Sequence, residues 1–166
     1  MNNKQLDSKA TIMEKVIIAL APIYHQEGIE EGQKALLETL VGAGIWYMPS
    51  GDELYDGGIS KEALERFKST GKFSELTKEH RYPRKKAGKN LLSEEYKDII
   101  SGKTSLKKLY LENYGRYHYV LSGENKKLVK HQKAGDDQKT AYSKAGIELL
   151  SMSINEIKSL KSKNIL

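Results

Sequence analysis

Leu76-Thr77-Lys78-Glu79-His80-Arg81-Tyr82-Pro83-Arg84-Lys85 sets a carboxylate directly beside a histidine, at the end of a β-prone run and just ahead of an Arg/Lys-rich loop. A second β-prone run, Tyr117-His118-Tyr119-Val120-Leu121, breaks at Ser122-Gly123-Glu124-Asn125 into a helix start. The two stretches predict a strand over about Phe73 to Arg81, a basic loop with Gly88 as its flexible point, a strand over Arg116–Leu121 and a helix from about Gly123 to Lys133.

Working outward, charge divides the chain at this point. Residues 1–77 hold 8 Lys/Arg against 12 Asp/Glu, a balance of −4, whereas residues 78–166 hold 20 against 10, a balance of +10. The whole chain of 166 residues carries +6. A one-sided basic field raises the local concentration of polyanions and gives salt-dependent affinity for nucleic acid. The plainer reading of the same lysines is a solvated, solubilising surface. The absence of cysteine excludes disulfides, thiol catalysis and zinc ribbons, so any metal must be held by His, Asn and carboxylates. No apolar run is long enough to cross a bilayer, and Val16 to Ala21 lacks a signal-peptide pattern, so no membrane partner and a cytoplasmic address are expected.

The first half reads as helical. Ile12, Met13, Val16, Ile17, Leu20 and Ile23/Tyr24 recur at helical spacing, with Pro22 expected to kink or end that helix. A second helix over roughly Ile29 to Val41 is expected to bury Leu36, Leu37 and Leu40, and Ile45-Trp46-Tyr47-Met48 reads as a strand. Ser60 reads as the N-cap of a helix over Lys61 to Ser69. In the second half, short helices are expected from Ser93 and from Thr104 or Ser105. Asp136-Asp137 reads as the cap of a helix through Leu150, and Ser153-x-x-Glu156 as a capping box. The expected class is α+β: a mainly helical N-terminal part at 1–72, a core at 73–135 and C-terminal helices at 136–166, with Lys158 to Leu166 fraying.

Strand, loop, strand, helix, with Glu79-His80 on the first strand and Asn125 on the helix, resembles the ββα-metal (HNH) endonucleases. Thr-Lys-Glu-His-Arg-Tyr-Pro-Arg carries the acid-His-x-x-Pro pattern of that family, and Val-Leu-Ser-Gly-Glu-Asn-Lys-Lys-Leu its strand-to-helix step ending in Asn. The resemblance spans roughly residues 73–135 and implies a ββα-metal-like core carrying a helical insertion. It implies His80 as general base, Glu79 and Asn125 as ligands of one divalent cation, and DNA as substrate, as in restriction or phage nucleases. The chain departs from the family in two ways. His80 and Asn125 lie about twice as far apart as is usual for it, and Tyr117 or His118 stands where an asparagine often orients the histidine.

The chemistry is coherent on its own terms. Phosphodiester hydrolysis needs a deprotonated water, which a histidine near neutral pKa provides, and stabilisation of the leaving oxygen, which a cation provides. Oxygen donors such as Glu79 and Asn125 suit Mg²⁺ or Mn²⁺; a third ligand from His118 or His131 shifts the choice towards Mn²⁺, Ni²⁺ or Zn²⁺. Arg81, Arg84, Lys85, Lys86 and Lys89 are candidates for backbone phosphates, and Lys126, Lys127 and Lys130 extend that contact along the helix. RNA is an alternative target to DNA. Each piece also has a structural reading: Asn125 as a helix-start residue, His118 as a core histidine, His131 as a solvent contact, and the tyrosines as packing. The competing functions are a nucleic-acid-binding protein without catalysis, or a degenerate nuclease fold acting as a regulator. The apolar N-terminal helices are candidates for a homodimer interface.

Overall fold

In this computed structural model, which describes residues 1–133 and 136–163, the elements run α1 (Asn3–Tyr24), α2 (Glu31–Trp46), β1 (Tyr55–Ser60), α3 (Lys61–Thr70), β2 (Thr77–His80) and α4 (Arg84–Asn90). They continue with α5 (Tyr96–Ile100), α6 (Leu106–Leu109), β3 (Tyr117–Val120), α7 (Ser122–Lys133), α8 (Gln138–Lys144), β4 (Leu149–Ser151) and α9 (Ile154–Lys163). The class is mixed α+β and mostly helical. The chain forms two compact units, each discontinuous in sequence: Met1–Glu53 with Tyr82–Arg116, and Leu54–Arg81 with the described residues from Tyr117 onward. These units cut across the segments 1–72, 73–135 and 136–166. The reason lies in the first helices, whose buried faces are covered by residues from 82–116.

The first unit is helical. Asn2 opens α1 by accepting the Gln5 N–H, and the helix runs past Pro22 to Tyr24. Its inward face is Leu6, Ala10, Ile17, Ala21 and Tyr24, while Ile12, Val16 and Ile23 lie outward. In α2 the buried face is Glu38, Val41, Gly42 and Ile45, so Leu36 and Leu40 stand more than half exposed. A close helix crossing explains this rotation. A Cβ on Gly88 of α4 would lie 1.9 Å from the Glu38 carbonyl oxygen, and one on Gly42 would lie 2.2 Å from that of Arg84. Only glycine lets these backbones approach so closely. The basic stretch after Pro83 is therefore the helix α4 and not a loop. The helix passes through a π-helical turn (Leu91–Glu95) into α5. Ile45-Trp46, expected as a strand, ends α2, and the Arg84 guanidinium lies 3.6 Å from the centre of the Trp46 ring.

The second unit is built on a four-stranded sheet of order β2-β3-β1-β4. β1 and β3 are parallel; β2 pairs antiparallel with β3, and β4 with β1. The β2–β3 register sets Glu79 opposite His118 and His80 opposite Tyr117. On one face Tyr55, Phe67, Phe73 and Tyr119 form a chain of ring contacts. On the other, Val120 packs with Leu128 of α7, Ala141 and Tyr142 of α8, and Ile147.

Most expected caps form. Ser60 accepts the Ala63 N–H, Asp137 accepts that of Thr140, and Ser153 with Glu156 makes a reciprocal box. The helix from Asp137 stops at Lys144, because Gly146 takes a left-handed φ of 66° and the chain then pairs with β1 as β4. Of the segment expected to fray, the part through Lys163 is helical, and 164–166 lie outside the described residues.

Gly88→Ala should destabilise the protein by about 2 kcal/mol or more, since backbone must move to admit the methyl group. Gly123→Ala, in open space on α7, should be neutral or stabilising by up to about 1 kcal/mol. Denaturant unfolding of both variants checks the pair.

Candidate nucleic-acid interface

Glu79 is 3% exposed, in the middle of a hydrogen-bonded group. One carboxylate oxygen accepts the Gln132 side-chain N–H of α7 at 2.8 Å, and the other accepts the Tyr142 hydroxyl of α8 at 2.9 Å. Burial pushes the Glu79 carboxyl above its ordinary pKa, and the hydrogen bonds from Tyr142 and Gln132 oppose that rise. Burial and the neighbouring Glu79 charge push the Tyr142 phenol well up.

His118 stands beside this group on β3. Its Nδ1 lies 3.4 Å from the Tyr142 hydroxyl, and its Nε2 lies 3.8 Å from an Asp56 oxygen, which is also 3.8 Å from Arg81 Nη1. The imidazole fits because residue 58 is glycine: a Cβ there would come within 2.6 Å of His118 Cδ2. A register shift of β1 between Tyr55 and Ile59 brings Asp56 into this position. Burial lowers the His118 pKa; Asp56 raises it and Arg81 lowers it further. Asp56, Gln132 and Tyr142 are not among the residues that the sequence marks as candidates. The signal for the first was Asp56-Gly57-Gly58 within a β-prone run, and the other two carried none.

The residues expected to form the site are distributed differently. Adjacent strand residues face opposite ways. Glu79 faces α7 and α8, whereas His80 lies on the tyrosine face, its ring 6.1 Å from that of Tyr117. Asn125 is half-buried on α7, seven residues before the Gln132 that meets Glu79. At about 1.5 Å per residue, that is roughly 10 Å along the helix axis. His131 places Nδ1 3.5 Å from an Asp136 oxygen. A cation held by Glu79 and Asn125 therefore does not fit the arrangement. Both Glu79 oxygens already accept hydrogen bonds from protein donors, and Asn125 is two helical turns away from the contact. Among the described residues, no group of three or more His, Asp or Glu side chains is placed to hold a metal ion.

The expected phosphate contacts divide between the units. Lys126, Lys127 and Lys130 are exposed on α7, and Arg81 is exposed beside Asp56. Arg84, Lys85, Lys86 and Lys89 are exposed on α4 of the first unit, where Lys85 Nζ also lies 3.9 Å from the largely buried Glu38. Comparison with protein-family models, with curated proteins and with solved structures finds no match.

His118 should titrate below its ordinary 6.5 in a histidine NMR titration. The unfolded chain then binds more protons than the folded one just below pH 6.5, so this residue's contribution to stability is present above 6.5 and is lost as pH falls. His118→Asn should remove that part of the acid-side loss. Glu79 contributes with the opposite sign: its raised pKa favours the fold at low pH, and that advantage fades as pH rises from 4.5 through the folded value.

Proposed function

We propose that this is a nucleic-acid-binding protein that grips backbone phosphates through the outer face of α7. The observation that carries the proposal is the arrangement of that helix. At about 100° per residue, Lys126, Lys127 and Lys130 fall within roughly 100° of arc. Glu124 and Leu128 are buried on the opposite side. All three lysines are exposed, and they lie in the half of the sequence with a balance of +10. A row of ammonium groups on a rigid helix, held to a sheet by its other face, suits phosphate contact and non-specific or weakly specific binding. DNA is the proposed partner, with RNA the alternative, and a cytoplasmic location belongs to this proposal. No helix among the described residues is long and apolar enough to cross a membrane.

A second reading, a divalent-metal-dependent HNH-type endonuclease, is favoured by one observation. The long separation of His80 from Asn125 does not disrupt the strand–strand–helix succession. Residues 82–116 belong to the other unit, and β2 pairs directly with β3, which leads into α7. A two-fold dimer through the exposed Ile12, Val16, Leu36 and Leu40 belongs to this reading.

Anisotropy titrations with a fluorescent DNA duplex at several salt concentrations test the first reading. The parent should bind with a steep salt dependence. Replacing Lys126, Lys127 and Lys130 together by alanine should weaken binding and reduce the slope of log K against log salt by about 2–3. A parent with no salt-dependent affinity for DNA or RNA would sink the proposal. Plasmid incubated with Mg²⁺, Mn²⁺ or Ni²⁺ tests the second reading: cutting by the parent that His80→Ala abolishes would establish it, and an uncut plasmid under every metal would remove it.

A further inference from the structure

Both side-chain oxygens of Glu79, the acid of the Glu-His pair, are directed at helices. Helix α7 is fastened at both ends. In its first turn, the buried Glu124 accepts the Ser60 hydroxyl at 2.5 Å and the Leu121 N–H at 2.7 Å. Near its last turn, Gln132 donates to Glu79, and the second Glu79 oxygen takes the Tyr142 hydroxyl of α8. Tyr142 in turn faces His118 on β3. The exposed lysines of α7 lie between these two fastenings.

We propose that Glu79 is a positioning residue for the phosphate-binding face: its carboxylate fixes the C-terminal end of α7 together with α8, and so sets where Lys126, Lys127 and Lys130 stand. The inference rests on the nucleic-acid-binding reading for its functional consequence, though not for the clamp itself. The physical ground is geometric. Two donors from two different helices converge on one carboxylate that is closed to solvent; removing it takes the partner from the half-buried Gln132 amide and leaves the buried Tyr142 hydroxyl only the longer contact to His118. A helix loosened at one end holds its charges in a wider set of positions, which weakens simultaneous contact with successive phosphates.

The test is a reciprocal exchange in the full chain: parent, Glu79→Ala, Glu79→Gln, Gln132→Glu and the double variant Glu79→Gln with Gln132→Glu. Glu79→Gln turns one acceptor into a donor that confronts the Gln132 amide, and Gln132→Glu in the same chain restores a donor–acceptor pair. Tm should fall by at least about 4 °C in Glu79→Ala. It should fall in both single exchanges and recover most of the loss in the double variant. At temperatures where all are folded, Glu79→Ala should bind the duplex several-fold more weakly and with a shallower salt slope, and the double variant should regain both. Three results overturn the clamp: an unchanged Tm and affinity in Glu79→Ala, a double variant no better than the worse single exchange, or a rise in parental Tm with Mn²⁺ or Zn²⁺ that Glu79→Ala abolishes. If the parent fails to bind nucleic acid, the functional reading falls, and the recovery or loss of Tm in the exchange decides the clamp on its own.

Discussion

A carboxylate closed off from water organises the second unit. A buried polar group left unpaired costs about 1–3 kcal/mol, and burying an uncompensated charge such as a bare carboxylate costs more. Glu79 avoids that cost only while β2, α7 and α8 are all in place, because Gln132 and Tyr142 come from different helices. The apolar contacts of Val120, Leu128, Ala141 and Tyr142 draw the same elements together without direction. Hydrogen bonding supplies the direction. It selects one placement of the helices over the sheet among the many that would bury similar area.

The rest of the unit follows from that placement. With Glu79 facing the helices, strand alternation turns Lys78 and His80 to the opposite side, where they meet Tyr117. The cross-strand register brings His118 to the Glu79 side, and the shifted β1 strand brings Asp56 to His118. The result is a run of polar groups from the closed carboxylate to the exposed Arg81. The adjacent acid and histidine thus lie on opposite faces of the sheet, Glu79 towards the helices and His80 towards Tyr117.

What the sequence made legible were features whose cause is local. Ser60, Asp137 and the Ser153–Glu156 box cap helices because a side-chain oxygen close in sequence satisfies a backbone N–H, and no distant partner is needed. The two strands around Glu79 and Tyr117 were legible from composition, within a few residues at their ends. Features decided at long range were not. Leu36 and Leu40 have the spacing of a buried stripe, but the Gly42–Gly88 crossing turned the helix by its own demand. Ile45-Trp46 has strand composition, yet it completes a helix whose last turn stacks on Arg84. Of the candidate site, the importance of Glu79 was readable and its contacts were not. Gln132 and Tyr142 lie more than fifty residues away in sequence and belong to no recognisable pattern.

The interleaving of the two units has a consequence for synthesis. Emerging from the ribosome, α1 and α2 have no complete partner until residues up to Arg116 have followed them, and β1 and β2 wait longer still for β3. The first hundred or so residues therefore pass through a period in which Val41, Ile45 and the Gly42 surface stand open to solvent. A chain built this way can complete its first unit only after the opening segment of the second has also been made, and its nascent form is exposed to chaperones and to mispairing for longer than two units in simple succession would be.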